Sequence, residues 1–105
     1  MLTTDFIDPT EVGVVRISTL MTAAERAYMY AQAVKATAQY QQALTDAYGI
    51  WREETGNHEH IERGSTQWET MMEATARQYR QLQNAKARER RAKKRLVDFV
   101  MGGAA

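Results

Sequence analysis

The residues best suited to chemistry in this sequence are the cations of one basic run, KARERRAKKR, from Lys86 to Arg95. Seven of its ten residues are Lys or Arg. Two arginines precede the run, and the combined candidate polyanion-binding set is Arg77, Arg80, Lys86, Arg88, Arg90, Arg91, Lys93, Lys94 and Arg95. Side chains of this kind, at this density, neutralise nucleic-acid phosphates and release the counterions bound to them. The run therefore predicts a contact surface for a polyanion.

Arginine is concentrated on one side of this segment if the segment is a helix. At about 100° per residue, the members of this stripe fall within about 80° of one another. They are Arg77, Arg80, Asn84, Arg88, Arg91 and Arg95. Guanidinium groups bind phosphate or carboxylate in a bidentate fork, which favours a binding role over simple solubility. The alternatives are a solvated helix face and a surface that meets acidic residues of another subunit.

Base-specific recognition is not expected from this run. No aromatic side chain interleaves with the cations, so stacking on bases is not indicated, and no helix-turn-helix pattern is evident. If the partner is DNA or RNA, the contact is with its backbone.

The other polar cluster is the sequence HEHIE, with His58, His60 and Glu62. The two imidazoles could reach one metal ion, but no third ligand is fixed by the spacing, which also differs from the zinc-protease helix motif. Glu53 and Glu54 form an acidic pair without a predicted pocket of convergent polar groups. We expect a solvated surface loop here, and we predict no catalytic, cofactor-binding or metal-binding residue and no enzymatic activity.

Trp51 and Trp68 flank the same loop. An aromatic slot for a ligand is one interpretation of the pair. The simpler interpretation is that both close the end of a helical hairpin as core residues, and this is the one we expect.

Composition limits the classes of protein to consider. A chain of 105 residues is one domain with a thin core. The absence of cysteine excludes disulfides, thiol catalysis and Cys-based zinc sites. No apolar run approaches the roughly 20 residues that span a bilayer, and no signal segment is evident. We expect a soluble protein of the cytoplasm, or of a virion if the chain is of phage origin.

Charge is divided unevenly along the chain. Residues 1–75 carry eleven acidic and five basic residues, a net charge of −6, whereas residues 76–105 carry two acidic and nine basic residues, a net charge of +7. This asymmetry indicates either a polyanion at one end or pairing of opposite ends between subunits.

Two long helices should position these residues. The capping box Thr22-Ala-Ala-Glu25 predicts a helix over about 22–51, and Thr66-Gln-Trp-Glu69, with Ser65 as a competing cap, predicts one over about 66–101. The first carries a stripe of apolar residues at alternating spacings of four and three. Its members are Met29, Ala33, Ala36, Tyr40, Ala43, Ala47 and Ile50.

The chain ends are predicted as separate units. Residues 1–21 form an N-terminal arm, in which Asp8-Pro9-Thr10-Glu11 starts a short helix, and residues 102–105 form a flexible tail after Gly102-Gly103. The extended alternative for residues 12–17, which are mostly β-branched or Gly, remains open.

These elements predict an all-α fold, a long antiparallel helical hairpin of about 45 to 50 Å with a short N-terminal arm or helix. Its open half is unbalanced, because an apolar patch on the first helix meets charged residues of the second. The residues left to an interface are Met29, Tyr30, Val34, Leu96, Val97, Phe99, Val100 and Met101. Either the N-terminal segment or another subunit should cover them.

The sequence thus predicts a non-enzymatic assembly protein, a homo-oligomer or part of a larger particle such as a phage virion or its packaging apparatus. Its basic second helix would contact nucleic acid or an acidic partner. The alternative is a small nucleic-acid-binding regulatory protein that acts free. No small-molecule substrate is indicated.

Overall fold

The chain forms a long helical hairpin. The computed structural model describes the backbone of residues 9–103 and the side chains of residues 16–102. Within that range the elements are α1 (Pro9–Thr55), α2 (Thr66–Ala74), α3 (Ala76–Asp98) and a closing π-helical turn (Phe99–Gly103). The rod measures 77 × 20 × 19 Å. The predicted all-α antiparallel hairpin is confirmed.

Helix α1 begins much earlier than the predicted start at Thr22. It runs unbroken for 47 residues from Pro9, where proline at the first helical position sets a helical φ. The Thr22 hydroxyl donates to the Ser18 carbonyl oxygen at 3.2 Å, so it lies inside the helix and caps nothing. Residues 9–21 are therefore part of α1, and the predictions for residues 1–8 and 104–105 lie outside the described residues.

The connection between α1 and α2 is held by Arg52. Gly56, at φ 70°, ends α1 in the left-handed conformation that glycine adopts without strain. The Arg52 Nη1 atom then donates to the carbonyl oxygens of Asn57 at 3.1 Å and of Glu59 at 2.9 Å. One guanidinium group thereby satisfies two loop carbonyls and fixes the exit from α1.

Helix α2 is capped by Ser65, the competing cap, and not by Thr66. The Ser65 Oγ atom accepts a hydrogen bond from the Trp68 backbone N–H at 3.1 Å. The Arg63 guanidinium lies 5.9 Å from the centre of the Trp68 ring. This pair covers the start of α2.

The predicted second helix is interrupted at Thr75. Its backbone has φ −110° and ψ 13°, its hydroxyl donates to the Met71 carbonyl oxygen at 2.8 Å, and it is 1% exposed. The chain keeps its direction, since the Tyr79 N–H still bonds to the Thr75 carbonyl at 3.0 Å. Nothing in the capping or apolar pattern predicted this break.

The core is a narrow seam. Its buried apolar residues are Leu44, Trp51, Leu82 and Ala85. Trp51 is buried at the loop end, as expected of a core residue. Nearby, the Tyr48 hydroxyl lies 3.9 Å from the Met72 sulfur, which fixes the antiparallel register of the two arms.

The predicted meeting of the α1 apolar patch with charged residues of the second helix is only part of the contact in the open half. Ala85, directly before the run, is 1% exposed, and Ala92 within it is half-buried, so α3 packs on α1 through alanines in and beside the basic run. Beyond the interruption at Thr75, the buried residues of α3 are Leu82 and Ala85, whereas Tyr79 is 40% exposed. The charged residues flank this alanine contact.

Candidate polyanion-binding groove

A groove runs between α1 and α3 in the open half of the hairpin. We call it the arginine groove, and it has a volume of about 400 Å³. Its lining residues are Met29, Gln32 and Ala33 from α1, and Arg88, Arg91, Ala92 and Arg95 from α3. Its floor is thus apolar, and one of its walls consists of three arginines.

The alanine contact explains why the arginines stand at the edge of this groove. Small side chains such as Ala33 and Ala92 bring the two helices close together, which leaves little depth between them. The spacing of three and then four residues from Arg88 to Arg91 to Arg95 repeats one side of α3. The aliphatic part of an arginine can cover apolar surface while its guanidinium stays in water. The fold therefore lines up cationic heads along an apolar strip.

Most cations of α3 have no acidic partner among the described side chains. Among the described side chains, ion pairs within 4.0 Å occur only between Lys94 and Asp98, at 2.7 Å, and between His58 and Glu53, at 4.0 Å. The hydrogen bond to Asp98, together with its charge, raises the pKa of Lys94. Eight of the nine candidate cations thus keep a charge that no described carboxylate neutralises at contact distance.

All nine candidate cations are exposed. Three of them, Arg88, Arg91 and Arg95, line the groove, and Arg77 and Arg80 continue the same stripe toward the loop end. From Arg77 to Arg95 the stripe is about 27 Å long, at about 1.5 Å per residue. This length is most of one turn of duplex DNA, which is about 34 Å. The remaining four belong to other sides of α3: Lys86, Arg90, Lys93 and Lys94.

Sequence reasoning missed one cation beside the groove, Arg26 of α1. Its Nη1 atom donates to the Arg95 carbonyl oxygen at 3.4 Å, and its guanidinium lies 5.2 Å from the centre of the Phe99 ring. A cation at the last carbonyls of a helix stabilises its negative end. Arg26 thus fixes the end of α3 against α1. No sequence signal marks it, because the contact depends on the register of two segments 69 residues apart.

The candidate interface residues divide into two groups. Tyr30, Leu96 and Phe99 are half-buried at the helix contact. The exposed group consists of Met29, Val34, Val97, Val100 and Met101. The last three of these lie at the open end of the hairpin, where the chain leaves α3.

The loop end holds an open cleft of about 530 Å³. Trp51, Thr55, His58 and Thr70 are among its lining residues. Across the described residues, no three His, Cys, Asp or Glu side chains are grouped so that they could hold a metal ion. None of the described helices is long and apolar enough to cross a membrane.

Comparison of this chain with protein-family models, with curated proteins and with solved structures finds no match.

Proposed function

We propose that this protein is a non-enzymatic assembly protein, a helical hairpin that binds the phosphate backbone of nucleic acid along the arginine groove. Association with further subunits is the second part of the proposal. A component of a phage virion or of its packaging apparatus is the setting that we propose for such a connector.

The observation that carries the proposal is the set of eight cations on α3 without a described acidic partner. A row of unpaired guanidinium groups repels itself, and its natural complement is a regular array of anions. The phosphates of a nucleic acid supply such an array along the stripe of about 27 Å from Arg77 to Arg95, whereas an acidic protein patch would have to match the same spacing.

The groove also supports binding without sequence specificity. Its lining offers no aromatic ring on which a base could stack, and Gln32 is its single uncharged polar side chain. Specific readout requires several polar side chains that reach base edges, so we expect the three arginines to contact the backbone.

A second candidate is an acidic protein partner, and the charge distribution favours it independently. Residues 46–75, around the loop end, carry seven acidic and two basic residues. The loop end of another subunit would therefore complement the basic helix of this one.

A third candidate is a free nucleic-acid-binding regulatory protein. It would use the same groove but would act without association between subunits.

Retention of DNA and RNA duplexes at low salt tests the proposal. We expect the triple variant Arg88→Gln, Arg91→Gln and Arg95→Gln to lose retention. The matched control is Lys86→Gln, Arg90→Gln and Lys93→Gln, which removes the same charge from other sides of α3. It should retain most of the binding.

Equal losses in the two triple variants would contradict a groove and indicate diffuse attraction. If the wild type retains no nucleic acid, the nucleic-acid proposal is contradicted, and binding of an acidic protein partner is the function left to test.

A further inference from the structure

The outer face of α1 carries a second apolar row that the hairpin does not use. Five residues, Ile17, Met21, Ala24, Tyr28 and Ala31, recur at alternating spacings of four and three. This is the spacing of a coiled-coil seam. We call these five residues the outer α1 seam. Its large members are exposed: Ile17 by 59%, Met21 by 60% and Tyr28 by 65%.

The outer α1 seam lies on the side of α1 away from α3. The contact with α3 uses residues such as Ala33 and Leu44, and at about 100° per residue these lie roughly 180° around the helix from Ile17 and Ala24. Helix α1 thus has two apolar faces, and one of them packs inside the chain. A helix that is apolar on opposite sides needs a partner on each.

The start of the seam also lies beyond the end of the hairpin. Arg26 already meets the last turn of α3, at Arg95 and Phe99, and the described chain ends only four residues later at Gly103. The cleft beside Ile17 is lined by α1 residues alone among those described. Residues 9–21 therefore extend about 20 Å as a single helix, a length that is marginal in water without tertiary packing.

We propose that the outer α1 seam is the docking surface for a second copy of this chain, so that two hairpins associate through their α1 helices. A two-fold interface must be complementary to itself. The seam meets this condition because large residues such as Met21 and Tyr28 alternate with Ala24 and Ala31, which leave room for the partner's large residues.

The exposed area also fits a dimer. The seam, with the neighbouring Leu20 that is 67% exposed, presents on the order of 500 Å² of largely apolar surface, against roughly 800 Å² per partner in a standard interface. Exposed polar side chains that flank the seam, among them Ser18 and Glu25, lie along the same helix and would add to this area.

The resulting order of helices is α3, α1, α1 of the partner, α3 of the partner. With about 9 Å between neighbouring helices, the two basic helices are about 27 Å apart, well beyond the Debye length of about 8 Å. Their charges therefore do not oppose the pairing, and each copy keeps Arg88, Arg91 and Arg95 on an outer helix.

The inference rests on the assembly part of the proposed function and not on its phosphate binding. Light scattering during size-exclusion chromatography, without nucleic acid, tests it separately. The wild type should have twice the chain mass of 12.0 kDa over a dilution series into the micromolar range. Ile17→Glu should shift the protein to 12.0 kDa, with at least about a tenfold increase in the dimer dissociation constant, since a carboxylate would be buried without a partner.

The chain supplies a matched control on the same helix. Ile50 is also 59% exposed but lies outside the seam, so Ile50→Glu should leave the dimer unchanged. If Ile17→Glu loses helical circular dichroism, Tyr28→Ala takes its place as the test, because it adds no charge. We expect Tyr28→Ala to weaken the dimer as well.

A wild-type mass of 12.0 kDa throughout the series would overturn the proposal and leave the seam to a different protein. Equal weakening by Ile17→Glu and Ile50→Glu would also overturn it. Either outcome leaves retention of nucleic acid, and hence the groove, unaffected.

Discussion

The two halves of this hairpin are held together in different ways. Near the loop, Trp51, Tyr48 and Met72 fill the contact with large side chains, and the surrounding residues 46–75 carry seven acidic and two basic residues. In the open half, Ala85 and Ala92 bring the helices together beside larger half-buried residues such as Leu96, and residues 76–103 carry nine basic and two acidic residues. The large side chains of the loop half are covered by the hairpin itself and leave little apolar surface for a partner. The alanine contact of the open half leaves the flanking cations and apolar side chains exposed. We infer that the loop half supplies stability and the open half supplies binding.

The largest expected effect comes from removing the core of the loop half. Trp51→Ala should lower the free energy of unfolding by about 3 to 5 kcal/mol, because it leaves a cavity where a ring that is 8% exposed was packed. Met29→Ala, in the open half and 52% exposed, should cost about 1 kcal/mol or less. Chemical denaturation of both variants measures the difference, and equal reductions in stability would break the comparison.

The alanine contact should be sensitive to added volume. Ala85→Leu should lower the free energy of unfolding by about 1 to 3 kcal/mol, because Ala85 is 1% exposed and a larger side chain would force α3 away from α1. Ala43→Leu, at an exposed position of α1, is the control and should change stability little. If thermal melting temperatures of both variants match the wild type, α1 and α3 are not in close contact.

The loop should depend on one guanidinium group. Arg52→Gln removes the two hydrogen bonds to the carbonyls of Asn57 and Glu59 and should cost about 1 to 2 kcal/mol. The change should appear in amide hydrogen exchange as faster exchange in the loop and the end of α1, with protection of α3 unaltered. Faster exchange throughout the hairpin would contradict a local role for Arg52.

The smallest effect concerns alkaline pH in the loop half. Burial, with a smaller contribution from Tyr79, raises the pKa of Tyr48 above its ordinary value of 10.0. The folded state therefore favours the protonated phenol, so the stability it contributes is complete below about pH 10 and falls as the pH rises through the folded pKa. Tyr48→Phe should reduce the loss of stability above about pH 10. An alkaline denaturation profile of Tyr48→Phe identical to that of the wild type would refute the assignment.

The hairpin itself could be predicted because its signals are local. The apolar spacing along α1 depends only on neighbours in sequence, and the stop at Gly102 depends on backbone conformation. The exposure of the α3 cations was predictable for the same reason, since a dense run of Lys and Arg side chains must stay in contact with water. The caps predicted at Thr22 and Thr66 are not the ones that the helices use, since α1 starts at Pro9 and α2 is capped by Ser65.

The remaining features depend on the register between the two arms. The contact of Arg26 with Arg95 and the half-buried position of Ala92 both follow from how α1 meets α3. The continuation of α1 through Ile17 was missed because β-branched residues and glycine are poor helix formers on average.

Salt dependence of binding tests the account's central claim most directly. We predict that the logarithm of the affinity for duplex DNA falls linearly with the logarithm of salt concentration. Replacing Arg88, Arg91 and Arg95 with Gln should reduce the magnitude of that slope by roughly 3, since each phosphate that is no longer neutralised removes about 0.9 from it. The control triple at Lys86, Arg90 and Lys93 should reduce the slope by less than about 1. An equal reduction in both variants, or a slope that neither changes, would contradict the arginine groove as the binding surface.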